Sequence, residues 1–174
     1  MYKKMDNSYK ILKEIFENPT YGFHIRELAR KTNLNPNTII SITDDLKKKN
    51  LVIKRKNKNL VEVKANIEDI KFIRSKRCFN LKQLYDSGLV DFLIDFYNGP
   101  EAIVVMGSYS RGEDIEKSDI DVVIITPKKE APEASMFEKR LMRKIHILVV
   151  KYQELSKEFY KNLINGIVLH GYLK

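Results

Sequence analysis

The sequence predicts an α+β protein of two domains. A basic, helix-rich module occupies residues 1–65, and residues 66–98 form a helical linker that leads into a small α/β domain at residues 99–174. Three observations carry that prediction. Helical periodicity fills the first fifty residues and then gives way to two short β-patterned runs. Charge is uneven: residues 1–65 hold 15 Lys and Arg against 7 Asp and Glu, whereas the rest hold 17 against 16. Finally, two apolar strand-length runs, Ala102–Met106 and Val122–Ile125, bracket a Gly-Ser turn and an Asp-x-Asp.

Bulk properties narrow the class further. Hydrophobic residues at 43% with 32% charged is a globular composition, which argues against a disordered or membrane-spanning chain. The strongest apolar runs, at 103–106, 122–125 and 147–150, are strand-sized and far short of a bilayer span. Met1-Tyr2-Lys3-Lys4-Met5-Asp6 turns polar at once and has no apolar signal core. A single cysteine, Cys78, forms no internal disulfide, so a reducing cytoplasm is the expected address and Cys78 is expected to pack inside. The net charge of +9 lies almost wholly in the first third, as in a polyanion-binding module attached to a neutral body.

In that first third, Ser8–Asn18 reads as a helix with Ile11, Leu12, Ile15 and Phe16 on one face, stopped by Asn18-Pro19. Ile25–Thr32 reads as a second, with Ile25, Leu28 and Ala29 inward, and a tight Asn33-Leu34 turn follows. Asn35 is a good N-cap, and Pro36 stands in the first turn, where a helix tolerates proline best. The third helix runs to about Lys49 with Ile39, Ile42 and Leu46 inward. Leu51–Lys54 and Leu60–Lys64 then read as strands around a cationic hairpin tip, Arg55-Lys56-Asn57-Lys58-Asn59.

Helix, helix, tight turn, helix and basic hairpin together resemble the winged helix-turn-helix domain of transcriptional regulators. The resemblance implies duplex DNA as partner, with the third helix in the major groove and the wing on backbone phosphate. Asn37, Thr38 and Ser41 would then meet base edges or phosphates. Lys47, Lys48, Lys49, Lys54, Arg55, Lys56 and Lys58 would supply the sequence-independent attraction. Winged helices also dock proteins, and the +8 of residues 1–65 favours DNA. Such regulators are often dimers because their sites are palindromic, so a homodimer is an open expectation.

The linker places Ile67, Ile70 and Ile73 at helical spacing. A second amphipathic stretch follows with Leu81, Leu84, Tyr85, Leu89, Phe92, Leu93 and Phe96, ended by Asn98-Gly99-Pro100. These residues, and the aromatics among them, are expected to pack rather than to stack on a ligand.

The chemistry starts where Ala102–Met106 runs into Gly107-Ser108-Tyr109-Ser110-Arg111-Gly112. Gly107 has no Cβ, so backbone can approach a phosphate closely. Ser108 opens a helical turn whose free N–H groups favour an anion. Ser118-Asp119-Ile120-Asp121 then leads into the second strand, and two aspartates two residues apart point to one face. Carboxylate oxygens on one face suit a hard cation such as Mg²⁺.

Gly-Ser, Arg-Gly and Ser-Asp-x-Asp in that order resemble the nucleotidyltransferase superfamily that includes DNA polymerase beta and the small prokaryotic nucleotidyltransferases. The resemblance covers about residues 80–174 and implies a small α/β fold with a mixed sheet. It implies that Gly107, Ser108 and Ser118 bind the nucleoside triphosphate and that Asp119 and Asp121 ligate Mg²⁺, with Mn²⁺ as a substitute. Arg111 either contacts phosphate or pairs with Glu113 or Asp114. The reaction implied is transfer of a nucleoside monophosphate from an NTP to a hydroxyl, which in some small members belongs to a partner protein.

The family adds a third carboxylate on a later strand. The matching strand here is Lys144–Val150, and the residue facing the pocket is His146; no acid lies between Glu138 and Glu154. Neutral imidazole accepts protons near pH 7 and binds transition metals but is a poor Mg²⁺ ligand. Three alternatives stay open: an enzyme that uses His146, one with a base from elsewhere, and a regulator that senses nucleotide without transferring it. Pro127–Met136 reads as a loop and Tyr152–Asn162 as a helix. The closing run Ile167–Tyr172 is expected to pack on the sheet, and His170 and Tyr172 are expected to pack with it, an approach to the nucleotide being their alternative.

Overall fold

The computed structural model describes residues 6–57 and 60–174. The chain divides into two compact units, Met1–Lys76 and Arg77–Lys174.

The first unit begins with α1 (Asn7–Glu17), whose first turn is capped by the Asp6 carboxylate accepting from Ser8 N–H. A short strand, β1 (Gly22–His24), precedes α2 (Ile25–Thr32). Asn33 then adopts the left-handed conformation, and the amide of Leu34 closes on the Ala29 carbonyl. This is the tight turn that Asn tolerates better than most residues. Helix α3 (Pro36–Lys48) follows, with the Asn35 side chain accepting from Asn37 N–H. Strands β2 (Val52–Asn57) and β3 (Leu60–Ala65) form a hairpin, and β1 adds to β3 antiparallel to give the order β1-β3-β2.

Strand β1 has no counterpart in the sequence reading, because three residues are too few for alternation to show. Ile11, Ile15, Phe16, Phe23, Leu28, Ile39, Leu46, Val52 and Val63 are buried in this unit. Full burial of such a side chain contributes about 1.5–3 kcal/mol against leaving it in water.

Helix α4 (Ile70–Ser87) carries the boundary between the units. Expectations of packing fail along and just before it, at Ile67, Ile70, Cys78 and Tyr85, the last of these 49% exposed. Ile67 and Ile70 are exposed, because the helix starts only at Ile70 and Ile67 lies in the preceding turn, where helical spacing has no meaning. Cys78 is exposed too, since the buried stripe runs through Phe72, Lys76, Phe79, Asn80 and Leu84 and leaves residue 78 off it.

In the second unit, α5 (Leu89–Tyr97) ends at Asn98 in the left-handed conformation. Strand β4 (Ala102–Met106) leads into α6 (Gly107–Arg111), and β5 (Ile120–Ile125) returns antiparallel to β4. Helix α7 (Ser135–Leu141) then crosses to β6 (Ile145–Val150), which lies parallel to β5. After a 3₁₀ turn (Tyr152–Glu154) and α8 (Lys157–Leu163), β7 (Ile167–Gly171) pairs antiparallel with the other side of β4. The sheet is mixed, in the order β6-β5-β4-β7. The loop read at 127–136 is shorter than expected, because its last residues begin α7.

Strand alternation sorts this core into two layers. Ile103, Val105, Ile120, Val122 and Ile124 face Leu84, Leu89, Leu93, Tyr97 and Phe137 of the helices. Ala102, Val104, Val123 and Ile125 face Leu163, with Tyr152, Leu155, Phe159 and Tyr160 packed alongside. Asp121 has the parity of Val123 and Ile125, so it belongs to the second face at the end of the sheet where β4 finishes. Among the described residues, no helix is long and apolar enough to cross a membrane.

Candidate functional site

Three chain segments meet at that end of the sheet. The β4–α6 turn brings Gly107 and Ser108, the start of β5 brings Asp119 and Asp121, and the start of β6 brings His146. Register sets the geometry: Met106 pairs with Asp121 across β4 and β5, and Asp121 pairs with His146 across β5 and β6. His146 lies between the two acids, with Nε2 3.6 Å from Asp119 Oδ2 and Nδ1 3.6 Å from Asp121 Oδ1. Asp119 directly precedes β5 rather than lying within it, and both carboxylates remain open to solvent.

Gly107 has φ +68°, a conformation that side chains rarely adopt. A Cβ on Gly107 would lie 2.6 Å from Asp121 Oδ2. The missing Cβ therefore makes room for the carboxylate as well as for any phosphate. Ser108 is half-buried, and the hydroxyl of Ser110 donates to the Gly107 carbonyl at 2.9 Å, which braces the turn.

The other predicted residues hold local partners. Ser118 accepts from Ile115 N–H through its hydroxyl at 3.0 Å and donates its own N–H to the Ile115 carbonyl, closing the turn that delivers Asp119. Arg111 Nε donates to Glu113 Oε2 at 2.7 Å, the pairing alternative to a phosphate contact. Among the described residues, no three His, Cys, Asp or Glu side chains are arranged to hold a metal ion. Asp119 and Asp121 are two acceptor-only groups on either side of Ile120, a donor set that fits a hard cation whose other ligands come from a substrate or water.

A buried polar cluster escaped the sequence reading. Asp114 is 2% exposed, and Asn80 Nδ2 donates to its Oδ1 at 2.6 Å and to the Tyr109 carbonyl at 2.9 Å. The guanidinium of Arg143 stands 4.0 Å from Asp114 Oδ2. These three residues are far apart in sequence, and the only available signal was two polar residues, Lys76 and Asn80, at helical spacing on the buried stripe of α4. Near the same end, Glu138 accepts from Ile145 N–H at 3.0 Å and from Lys144 Nζ at 3.3 Å. The Ile145 amide, helped by Lys144, holds the Glu138 carboxyl below its usual range.

In the first unit, Asn37 and Ser41 are exposed on α3 and Thr38 is half-buried. Arg55 and Lys56 are exposed on β2, whereas Lys58 lies outside the described residues. Lys48 is exposed beside Asp45 at 3.1 Å. Lys54 differs from the expectation of an outward cation: it is mostly covered and binds Asp44 at 2.7 Å. That contact holds the Asp44 carboxyl below its usual range.

A mixed sheet brings a Gly-Ser turn and an Asp-x-Asp together at one end, the layout that the sequence resemblance leads one to expect. In agreement, the family model described as a nucleotidyltransferase domain matches residues 86–170, just under half of the chain. No curated protein and no solved structure matches the chain.

Proposed function

We propose that the protein transfers a nucleoside monophosphate from an NTP to a hydroxyl acceptor in a Mg²⁺-dependent reaction, with Mn²⁺ as a substitute, and binds duplex DNA through residues 1–65 as a winged helix. The observation that carries the transfer reading is the convergence of Asp119, Asp121 and His146 beside Gly107. Asp119 and Asp121 would hold the cation, which would supply neutralisation of the charge that develops in the transition state. The Gly107-Ser108 turn orients the triphosphate. His146 takes the proton of the acceptor hydroxyl as its oxygen attacks the α-phosphorus, a P–O bond forms, and the α–β bridging P–O bond breaks to release pyrophosphate. The two carboxylates 3.6 Å from the ring then stabilise the imidazolium.

The test replaces both acids, Asp119→Asn with Asp121→Asn, and measures Mg·ATP binding by calorimetry. Abolished binding with an unchanged circular dichroism spectrum is expected; unchanged affinity sinks the metal assignment. If His146 is the base, His146→Asn abolishes turnover while sparing Mg·ATP binding.

The absence of a third metal donor among the described residues favours a second reading, a transcriptional regulator that binds nucleotide in this unit without turnover. Pyrophosphate release with candidate acceptors, proteins among them, separates the two. DNA binding rests on the exposed Asn37, Ser41, Arg55 and Lys56 and on the charge of the first unit.

A further inference from the structure

The cluster of Asn80, Asp114 and Arg143 reaches each of the three segments that build the site. Asn80, on α4, spends one amide hydrogen on Asp114 and the other on the carbonyl of Tyr109, the residue after Ser108. Tyr109 answers with its hydroxyl, which donates to the Asn80 carbonyl at 3.4 Å. Asp114 belongs to the loop that connects α6 to Asp119. Arg143 directly precedes Lys144, whose carbonyl accepts from Ile120 N–H at 2.8 Å, between the two aspartates. Two residues beyond Lys144 is His146.

Burial makes these contacts matter. The side chains of Asp114 and Arg143 are 1% and 9% exposed, so neither can exchange its partner for water at little cost. A carboxylate in such a place holds its neighbours to a narrow geometry, because any displacement leaves charge or hydrogen-bonding capacity unmet. Exposed pairs at the same end, such as Arg111 with Glu113, impose no comparable constraint.

We infer that Asn80, Asp114 and Arg143 are positioning residues: a buried polar clamp that holds the Gly107-Ser108 turn, the aspartate loop and the start of β6 in mutual register, and so keeps His146 between Asp119 and Asp121. The inference rests on the proposed transfer reading for its catalytic consequence but not for its structural one. Asn80 acts through Tyr109 on the turn, and Arg143 acts through the β5–β6 junction on His146.

The test uses the full chain with three variants. Arg143→Met removes the charge partner and keeps the length of the side chain, Arg143→Lys restores the charge, and Asp114→Asn keeps an acceptor for Asn80 while removing the charge. Ring-nitrogen chemical shifts of His146, assigned by its loss in His146→Asn, report its place between the acids without requiring activity. Arg143→Met is expected to move those shifts and to lower turnover at least about tenfold, by more than it weakens Mg·ATP binding, because its route to the site runs through the β5–β6 junction to His146. Arg143→Lys is expected to return both readouts most of the way.

If Arg143→Met does not fold, Asp114→Asn carries the same expectation in milder form. Unmoved His146 shifts in a folded Arg143→Met or Asp114→Asn overturn the clamp, even if the protein melts earlier. Moved shifts with no turnover in any form, wild type included, leave the clamp standing and refute nucleotidyl transfer.

Discussion

In the first unit the candidate contacts are spread over a surface: Asn37 and Ser41 on α3, Arg55 and Lys56 on β2, each exposed. In the second they are gathered at one end of a sheet, where strand register alone brings Asp121 opposite both Met106 and His146. Spread charges act additively and through solvent, so losing one weakens binding by a fraction. Gathered groups share distances of a few ångströms, so moving one disturbs all. The two units should therefore fail differently when mutated.

The sharpest break in that comparison is at Gly107. Valine there must adopt a positive φ and place its Cβ against the Asp121 carboxylate. The backbone strain alone costs about 1–3 kcal/mol. Gly107→Val should lower the melting temperature and abolish Mg·ATP binding together. A variant that melts early but binds normally would show that the turn and Asp121 are not coupled.

His146→Asp sharpens the comparison from the other direction. It sets a third carboxylate beside Asp119 and Asp121, and without metal three like charges repel and destabilise the fold. A cation bound by the native state restores stability, by about 2.7 kcal/mol at a hundred times its dissociation constant. The melting temperature of His146→Asp should thus rise with Mg²⁺ more than that of wild type. A melting curve indifferent to Mg²⁺ would show that a carboxylate at position 146 shares no cation with the aspartates.

How much of this was legible depends on whether a feature is local. Helix α2 and strand β4 have the bounds expected from periodicity and punctuation, because Asn33, Pro36 and the Gly107 turn mark their ends. His146 could be placed opposite the aspartates because β6 is a short apolar run with a single histidine in it. Strand β1 was invisible, being three residues long, and α7 was not read at all because its start lies in a Pro- and charge-rich stretch taken for loop. The contacts of the Asn80–Asp114–Arg143 cluster join residues about thirty positions apart in the chain, and no spacing rule spans that distance. The Lys54–Asp44 pair was hidden for a related reason: Asp44 lies on α3, and only the folded hairpin brings the two together.

The diffuse surface should show smaller, graded changes. If the first unit neutralises about four phosphates, log K against log salt has a slope of roughly −3.6. Arg55→Ala with Lys56→Ala should flatten it by roughly 1.8. Fluorescence anisotropy with duplex DNA over a salt series measures this. A slope unchanged by the double variant would move the phosphate contacts elsewhere, and no salt dependence at all would favour a protein-docking role.

Lys54 predicts the smallest effect and separates the hairpin's two kinds of cation. It is covered and bonded to Asp44, so Lys54→Met should leave the DNA salt slope unchanged, in contrast to its exposed neighbours Arg55 and Lys56. Its cost should fall on stability, by about 0.2–1 kcal/mol near neutrality, because Asp44 is half-exposed and the pair is screened. The pH dependence has a definite sign. Lys54 depresses the Asp44 carboxyl in the folded protein, chiefly through the direct hydrogen bond. The contribution is therefore fully present above the ordinary aspartate range and is lost as pH falls through the lower, folded value. The stability gap between wild type and Lys54→Met should hold constant near neutrality and close in acid. A gap that widens in acid, or a slope that flattens as it does for Arg55 and Lys56, would return Lys54 to the DNA surface and leave Asp44 without a structural part in the hairpin.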